Sequence, residues 1–203
     1  VLIAWQPGME GGNAIADVLC GDAVPSGKLV DTFASSYDDY PSSTTFNESN
    51  NYVNYEEDIF VGYRYFETFD PDYKKVNYEF GYGLSYTTFE ISDVEVENDD
   101  DNIYITAKIT NTGNYPGKEV VQVYFSAPQG QLGKPGKELA TFKKTKLLQP
   151  GESQVLEMSF PIGDMSSYDD TGKVQKSAYV LEPGDYKIYV GNSIKDAGQR
   201  GVR

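Results

Sequence analysis

A glycine-rich turn near the start of the chain is the first stretch whose residue types could do chemistry. Gly8, Gly11 and Gly12 follow the apolar run 1–5 and precede a helical pattern, which is the setting of a phosphate-binding loop. The dinucleotide fingerprint, however, needs glycines spaced as G-x-G-x-x-G, and these glycines are not. No P-loop lysine follows, and Glu10 would place a negative charge beside a phosphate. The turn therefore predicts a tight structural hinge between a strand and a helix, not a nucleotide site.

Three acidic clusters could supply paired carboxylates or ligands for a hard cation. They are Glu56-Glu57-Asp58, Asp70 with Asp72, and Asp99-Asp100-Asp101. None has the alternating acids, glycine and terminal glutamate of a calcium loop. Glycoside hydrolysis needs two carboxyl groups about 5 to 9 Å apart across a sugar ring, which neighbours in one acidic run seldom achieve. The clusters favour solvated turns, and the sequence predicts no catalytic, cofactor-binding or metal-ligating residue and no cofactor.

Aromatic residues suggest a further possibility, because aromatic faces stack on sugar rings. The chain has 17 tyrosines and one tryptophan, Trp5. In a β-sandwich most aromatics on strands fill the interior, so we expect most of these rings in the core.

Composition excludes several classes of function. Histidine is absent and Cys20 is the sole cysteine, which excludes disulfide scaffolds, cysteine-histidine zinc sites and histidine-based catalytic triads. The formal charge of -14 repels phosphate backbones and anionic lipid surfaces, so neither nucleic acid nor a membrane is predicted as a partner. One cysteine and a short glycosylation pattern at Asn47-Glu48-Ser49 leave the compartment open, cytoplasmic or secreted.

The first 33 residues predict a strand, a helix and a second strand. The strands are Val1 to Trp5 and Lys28 to Phe33, with a helix between them whose apolar stripe includes Val18. Asn13 is the expected N-cap and Gly21 the expected C-terminal stop. One such unit cannot cover its own sheet, so we expect the protein to extend N-terminally beyond Val1 and this chain to be a fragment.

The rest of the chain predicts a long surface loop followed by an all-β region. Residues 34–58 show no clear period, whereas 59–69 have the aromatic and β-branched content of a strand. From about residue 85 onward, apolar residues alternate in about seven strands, and the apolar segment 119–125 is expected to be a central strand. Turns such as 149–152 separate them at the intervals of a two-sheet sandwich.

Five ordered blocks carry a resemblance to a known family. They read AWQPGMEGGNAIADVLCGDAVPSGKLVDTF, VGYRYFETF, FGYGLSYTTF, GKEVVQVYFSAP and LEPGDYKIYVGNS, and the chain resembles the C-terminal portion of family-3 glycoside hydrolases, the β-glucosidase and β-xylosidase family. The resemblance implies a mainly β fold, with a partial α/β segment before a fibronectin type III-like (immunoglobulin-like) β-sandwich. It implies three parts: 1–33 as the end of an α/β sandwich domain, 34–84 as an extended linker, and 85–203 as the fibronectin-like domain.

The same resemblance implies that the catalytic carboxylates lie outside this chain. The family's nucleophile sits in a Ser-Asp-Trp motif on an (α/β)8-type barrel, and Trp5 is not preceded by Ser-Asp. The acid/base glutamate generally lies upstream of the matching segment, so Glu10 is not assigned that role. Two positions depart from the family pattern: Asp58 stands where glycine is usual and Glu79 where proline is frequent.

Two functions follow as hypotheses. The first is the non-catalytic C-terminal part of a retaining exo-acting β-glycosidase, most simply a β-glucosidase, inactive by itself and bracing the catalytic domains. Its partners would be the missing barrel, the rest of the α/β domain and a β-linked oligosaccharide, with a homodimer possible. The alternative is an independent fibronectin-like carbohydrate-binding or adhesion module. The residues do not distinguish glucosides from xylosides, nor which side of this segment the barrel occupies.

Overall fold

The computed structural model describes residues 1–200. Its two helices are α1 (Gly11–Cys20) and α2 (Tyr63–Phe69), with short 3-10 turns at Tyr37–Asp39, Pro41–Thr44 and Ile162–Met165. Its strands are β1 (Phe33–Ala34), β2 (Val76–Tyr78), β3 (Phe89–Asn98), β4 (Asn102–Asn111), β5 (Val120–Ser126), β6 (Glu138–Lys144), β7 (Ser153–Pro161), β8 (Ser167–Asp169), β9 (Ala178–Val180), β10 (Lys187–Gly191) and β11 (Gly198–Arg200). Neither helix of this described part is long and apolar enough to cross a bilayer.

Two antiparallel sheets form the sandwich that the sequence predicts. One has the strand order β3-β4-β7 and the other β11-β10-β5-β6, seven strands together. Alternating residues of β4, such as Ile105 and Ile109, are fully buried and pack against Val121 and Val123 of the facing sheet. Each such side chain contributes roughly 1.5 to 3 kcal/mol by leaving water. The predicted sandwich is therefore confirmed, and β5 is the central strand that its apolar sequence indicates.

The strand-joining turns follow the residues expected of them. The Glu152 N–H donates to the Gln149 carbonyl oxygen over 2.9 Å, with Pro150 and Gly151 between them. Gly151 has φ of 78°, a left-handed conformation in which a side chain is strained. The predicted turn at 149–152 is confirmed.

The first ten residues form no strand, so the prediction for Val1 to Trp5 is wrong. A strand needs a neighbour for its backbone groups, and the described chain offers this run none. Of the predicted second strand 28–33, only Phe33 pairs, opposite Tyr78 of β2. A hydrogen bond from the Leu29 N–H to the Tyr82 carbonyl (2.8 Å) holds the remainder as an extended segment.

Helix α1 forms where it is predicted, although it starts two residues before the expected cap. Glu10 occupies the N-cap position, and Asn13 lies inside the helix, where its amide donates to the Glu10 carboxylate over 2.6 Å. The prediction of Asn13 as the cap is wrong, while Gly21 ends the helix as expected, with φ of 87°. Gly11 is the one fully buried residue of this helix.

The sequence predicts a strand-like segment at 59–69, and this prediction is wrong: residues 63–69 form the helix α2. Aromatic residues favour strands only weakly, and packing decides between the two conformations. As a helix the segment turns Phe66 inward, where 2% of it is exposed and its ring meets Tyr40 edge-on at 6.0 Å. The long loop of 34–58 is a surface excursion, as predicted, that begins with two 3-10 turns.

A buried carboxylate holds the loop between β8 and β9. Asp169 is fully buried, and its two oxygens accept the backbone N–H groups of residues 172–175 over 2.7 to 3.1 Å. Burial opposes ionisation of this carboxyl, but the four N–H donors outweigh it and lower its pKa below the usual 3.8. The loop is thus closed around one side chain.

Asp169→Asn is expected to lower the urea midpoint of unfolding, because an amide offers one acceptor oxygen where the carboxylate offers two. A folded pKa below the unfolded one adds stability above the unfolded pKa, and this is lost as pH falls through the folded value. The variant should therefore lose less stability than the wild type between about pH 5 and about pH 2. Exposed Asp170→Asn is the control, and equal midpoints for both variants would contradict the prediction.

Asp58 lies at a strained backbone position, which gives a second test. Its φ is 52°, the left-handed region that glycine adopts freely, and its side chain is exposed. Asp58→Gly is expected to raise the free energy of unfolding by about 0.5 to 1 kcal/mol. Glycine relieves the backbone strain of the folded state, and this gain exceeds the loss from the greater conformational entropy of the unfolded chain. Asp58→Ala should lower it, and urea unfolding measures both. A glycine variant less stable than the wild type would refute this account.

Candidate functional site

The acidic clusters close local turns. Asp99 accepts the backbone N–H groups of Asp101 (2.9 Å) and Asn102 (2.7 Å), which lowers its pKa. Buried Asp70 accepts the backbone N–H groups of Lys74 (3.1 Å) and Lys75 (2.8 Å).

The remaining acids also lack the geometry of a reactive site. Asp72 pairs with Lys74 at the surface over 3.1 Å, and Glu56 and Asp58 are exposed. Within residues 1–200, no three Cys, Asp or Glu side chains are placed to hold a metal ion. Glu95 and Glu97 line a cavity of about 70 Å³, room for about two waters but not for a sugar ring.

The glycine-rich turn is a hinge into α1. The Gly11 N–H donates to the Gly8 carbonyl over 3.2 Å, and Gly8 has φ of 75°. A Cβ on Gly11 would lie 2.4 Å from the ring of Pro7, so the helix start and the turn need this glycine for close packing.

The most extensive of these features is a contact surface between two parts of the chain, which we call the seam. In the seam, α2 and residues 79–81 lie against the outer face of the four-stranded sheet, at Gln122, Tyr124 and residues 136–139 and 192–194. Sequence reasoning missed the seam, because its two sides are distant along the chain and the family blocks that contain them do not show which residues meet.

An aromatic cluster forms the centre of the seam. The rings of Tyr63 and Phe80 lie 4.5 Å apart and both face Tyr124, at 6.4 and 6.5 Å. Tyr124 is fully buried although it points away from the sandwich core, and burial raises its pKa. It is the one buried tyrosine of the described residues, so the expectation that most of the aromatics lie in the core is wrong.

Hydrogen bonds satisfy the backbone groups that the seam removes from water. The Tyr63 hydroxyl accepts the Leu139 N–H over 2.9 Å, and Thr68 Oγ1 accepts the Gly136 N–H over 2.8 Å. The Gln122 side-chain amide donates to the Gly81 carbonyl over 3.2 Å. Burying these groups without partners would cost free energy, so the fit of the two sides is specific.

Close approach at the seam also depends on two glycines. A Cβ on Gly136 would lie 2.6 Å from the Glu67 carbonyl oxygen, and one on Gly81 would lie within 3 Å of the Gln122 amide. A larger residue at position 136 would press against the backbone of α2 and separate the two surfaces.

Ion pairs hold the rim of the seam. Lys137 Nζ lies 3.0 Å from the Glu67 carboxylate, with 19% and 5% of the side chains exposed, and also donates to the Ile194 carbonyl. The Tyr73 hydroxyl donates to Glu67 as well. Burial raises the pKa of Glu67, an effect that the Lys137 charge only partly opposes. The carboxylate is thus held in place by its partners.

A second ion pair fastens the N-terminal segment to the sandwich. Lys28 Nζ lies 2.8 Å from the Glu119 carboxylate, and both side chains are largely buried. The same carboxylate accepts the Val120 N–H over 2.7 Å and the Asn192 amide over 3.2 Å. Tyr86 donates its hydroxyl to the Val18 carbonyl and fastens the end of α1.

The positions that depart from the family pattern are accommodated structurally. Asp58 takes the left-handed conformation described above, and Glu79 joins the seam, where its carboxylate accepts the Ser193 hydroxyl over 2.8 Å. Glu79, which stands where the family frequently has proline, thus contributes a hydrogen bond to the seam.

The N-terminal segment carries several exposed apolar residues. Leu19 of α1 is 67% exposed and Trp5 is 62% exposed. Their neighbours Val1, Leu2, Ile3 and Met9 are also exposed. Such a patch is typical of an interface with another protein surface.

Lys137→Met tests the ion pair at the seam. Leaving Glu67 buried without its cation is expected to lower the free energy of unfolding by about 2 kcal/mol, less than for a fully buried pair because Lys137 retains some exposure. The raised folded pKa of Glu67 means that stability is lost as pH rises through it, so the deficit should be larger at about pH 8 than at about pH 4. Urea unfolding at both pH values measures it.

The double variant Lys137→Met with Glu67→Gln is the matched control. It carries no buried charge at this position and should recover much of the lost stability. A single variant as stable as the wild type, or a double variant no better than the single, would contradict the assigned role of the pair.

Comparison with known proteins places the chain in a family. The family model described as the C-terminal domain of glycosyl hydrolase family 3 matches residues 1–86, and that described as the fibronectin type III-like domain matches residues 119–194. The chain is 53% identical over 97% of its length to β-glucosidase A of Butyrivibrio fibrisolvens and 44% identical over 95% to a β-glucosidase of Kluyveromyces marxianus. It spans 25% and 22% of those proteins, about a quarter of their length.

Solved structures of β-glucosidases show the same fold. That from Paenibacillus barengoltzii superposes with a TM-score of 0.90 at 53% identity, covering 98% of this chain and 22% of the other. β-Glucosidase 3B from Thermotoga neapolitana, solved in complex with glucose, superposes with a TM-score of 0.86 at 44% identity, covering 98% and 27%. This chain therefore belongs to glycosyl hydrolase family 3, and it carries the family's C-terminal region together with a fibronectin type III-like domain.

Proposed function

We propose that this chain forms the C-terminal part of a retaining, exo-acting β-glycosidase of the β-glucosidase type, in which the sandwich braces the catalytic domains. The observation that carries the proposal is the 53% identity over 97% of the chain to a β-glucosidase four times its length.

The seam supports the bracing role. It fixes α2 on the two-sheet body through an aromatic centre and the Lys137–Glu67 pair, while the Lys28–Glu119 pair fixes the segment around Lys28 on the same body. The exposed apolar residues of α1 and of 1–9 then face the rest of the enzyme, which would cover them. The sandwich holds this surface in one orientation.

The carboxylates that break the glycosidic bond lie outside this chain in our proposal. A retaining enzyme needs two carboxyl groups about 5 to 5.5 Å apart on either side of the scissile bond. Here Glu10 is exposed and hydrogen-bonded to Asn13, while Glu67 is paired with Lys137 in the seam and Glu119 with Lys28. None of these three is free to act as nucleophile or acid.

We further propose the division into an α/β terminal segment 1–33, a linker 34–84 and a fibronectin-like domain 85–203. The family matches to 1–86 and 119–194 support it, as does the change from irregular to all-β structure near residue 89. The last three residues of the third part lie outside the described residues. A homodimer stays a prediction.

The isolated chain is expected not to hydrolyse 4-nitrophenyl β-D-glucoside above a mock-purified control, because it lacks both carboxylates. Absorbance of released nitrophenolate measures this, with β-glucosidase A of Butyrivibrio fibrisolvens at equal molarity as the positive control. Turnover that copurifies with the chain and persists in a host strain without β-glucosidase would overturn the assignment.

A chimera tests the bracing role directly. Replacing the matching quarter of the Butyrivibrio enzyme with this chain should yield an active β-glucosidase, and adding Gly136→Leu, which would separate the seam, should reduce its activity and thermal stability together. A folded chimera that is inactive without that substitution would contradict the proposed function.

A further inference from the structure

The hairpin of β8 and β9 presents two tyrosine rings to solvent. Tyr168 and Tyr179 stand directly opposite each other, with ring centroids 5.2 Å apart and planes inclined by 61°. They are 53% and 75% exposed, so neither ring belongs to the core. The loop between the strands is closed around the Asp169 carboxylate, which makes the hairpin a rigid support for the pair.

An open cleft of about 660 Å³ lies beside this pair. Its lining combines an aromatic ring, an aliphatic side chain and polar groups: Gly163, Asp164, Ser166, Tyr179 and Leu181. The volume lies in the usual range of small-molecule sites, about 300 to 1,000 Å³.

The polar groups of the cleft are hydrogen-bond acceptors. Asp164 is exposed and makes no hydrogen bond or ion pair with the described residues. The Ser166 hydroxyl donates to the Gly163 carbonyl over 2.6 Å, which leaves its oxygen lone pairs free toward the cleft. The cleft thus offers acceptors beside an exposed ring and Leu181.

These features select the chemistry of the ligand. A sugar has a C–H face that can lie on a tyrosine ring and hydroxyl groups that can donate to Asp164 and Ser166. An acidic ligand would be repelled by Asp164 and by the net charge of -14. A neutral polyhydroxylated ligand fits both the Tyr179 ring and the acceptors.

We propose that this cleft is an accessory binding site for a neutral, β-linked oligosaccharide. The site stands on the tyrosine pair and the cleft, and only the choice of a β-linked sugar rests on the proposed function. None of the contacts described above between residues 1–86 and the sandwich involves residues 163–181, and the lining of the cleft includes no residue of 1–86. The site would hold substrate polymer close to the enzyme without taking part in bond cleavage.

Titration of the chain with cellotetraose tests the proposal. We expect saturable amide chemical-shift changes in ¹H–¹⁵N spectra at Gly163, Ser166 and Leu181, with a Kd of about 1 mM, as an open site with one stacked ring allows. Tyr179→Ala should weaken binding about fivefold to tenfold, whereas Tyr179→Phe, which keeps the ring, should stay within about twofold. Asp164→Asn should weaken it less than Tyr179→Ala.

Tyr115→Ala is the matched control, because Tyr115 is 58% exposed on another part of the sandwich. It should leave affinity unchanged, and circular dichroism confirms that each variant is folded. No saturable change up to about 10 mM, shifts confined to other residues, or unchanged affinity of Tyr179→Ala would each overturn the site. Binding of tetralysine in place of cellotetraose would assign the cleft to a basic peptide and also overturn it.

The failure of this proposal is separable from failure of the proposed function. Binding to the cleft is read from chemical shifts on the chain alone, whereas the function is read from hydrolysis by the chimera. If the chimera is active but the isolated chain does not bind cellotetraose, only the accessory site is refuted. If the chain binds cellotetraose but the folded chimera is inactive, only the enzyme assignment is refuted.

Discussion

The outer face of the four-stranded sheet must be covered, and the segments that cover it are thereby held on the sandwich. Tyr124 points away from the sandwich core, where a lone sandwich would expose a large aromatic ring to water. Tyr63 of α2 and Phe80 cover it, so the aromatic centre of the seam is a second, smaller core. The hydrophobic free energy of this contact scales with the apolar area that it removes from water. It therefore keeps α2 and the segment around it bound to the sandwich.

Apolar contact alone would let one surface slide on another, and the charged and hydrogen-bonding groups remove that freedom. Lys137 and Glu67 meet in only one register, and Gly136 allows only one depth of approach. Each buried charge costs desolvation that its partner offsets, so the pairs contribute more to the uniqueness of the arrangement than to its stability. For a body that braces other domains, a fixed orientation is the property that matters.

The two faces of the molecule divide the proposed roles. One face carries the apolar residues around α1, which fit a protein neighbour, and the β8–β9 end of the sandwich carries the tyrosine pair, which fits a sugar. The first surface belongs to the segment that the Lys28–Glu119 pair holds on the sandwich. Its position relative to the sandwich is therefore set by buried contacts. The second is supported by the Asp169 loop and is independent of the seam.

Local pattern in the sequence is enough to specify the sandwich, because alternating residues such as Ile105 and Ile109 must face a core whatever their partners are. It also determined α1 with its glycine stop and, through five ordered blocks, the family. Long-range packing, by contrast, makes 63–69 a helix and leaves Val1 to Trp5 without strand structure in this chain. It alone brought Glu67 to Lys137 and Tyr168 to Tyr179. The physical reason is that these outcomes depend on contacts between residues distant along the chain, whereas periodicity and turn chemistry are local.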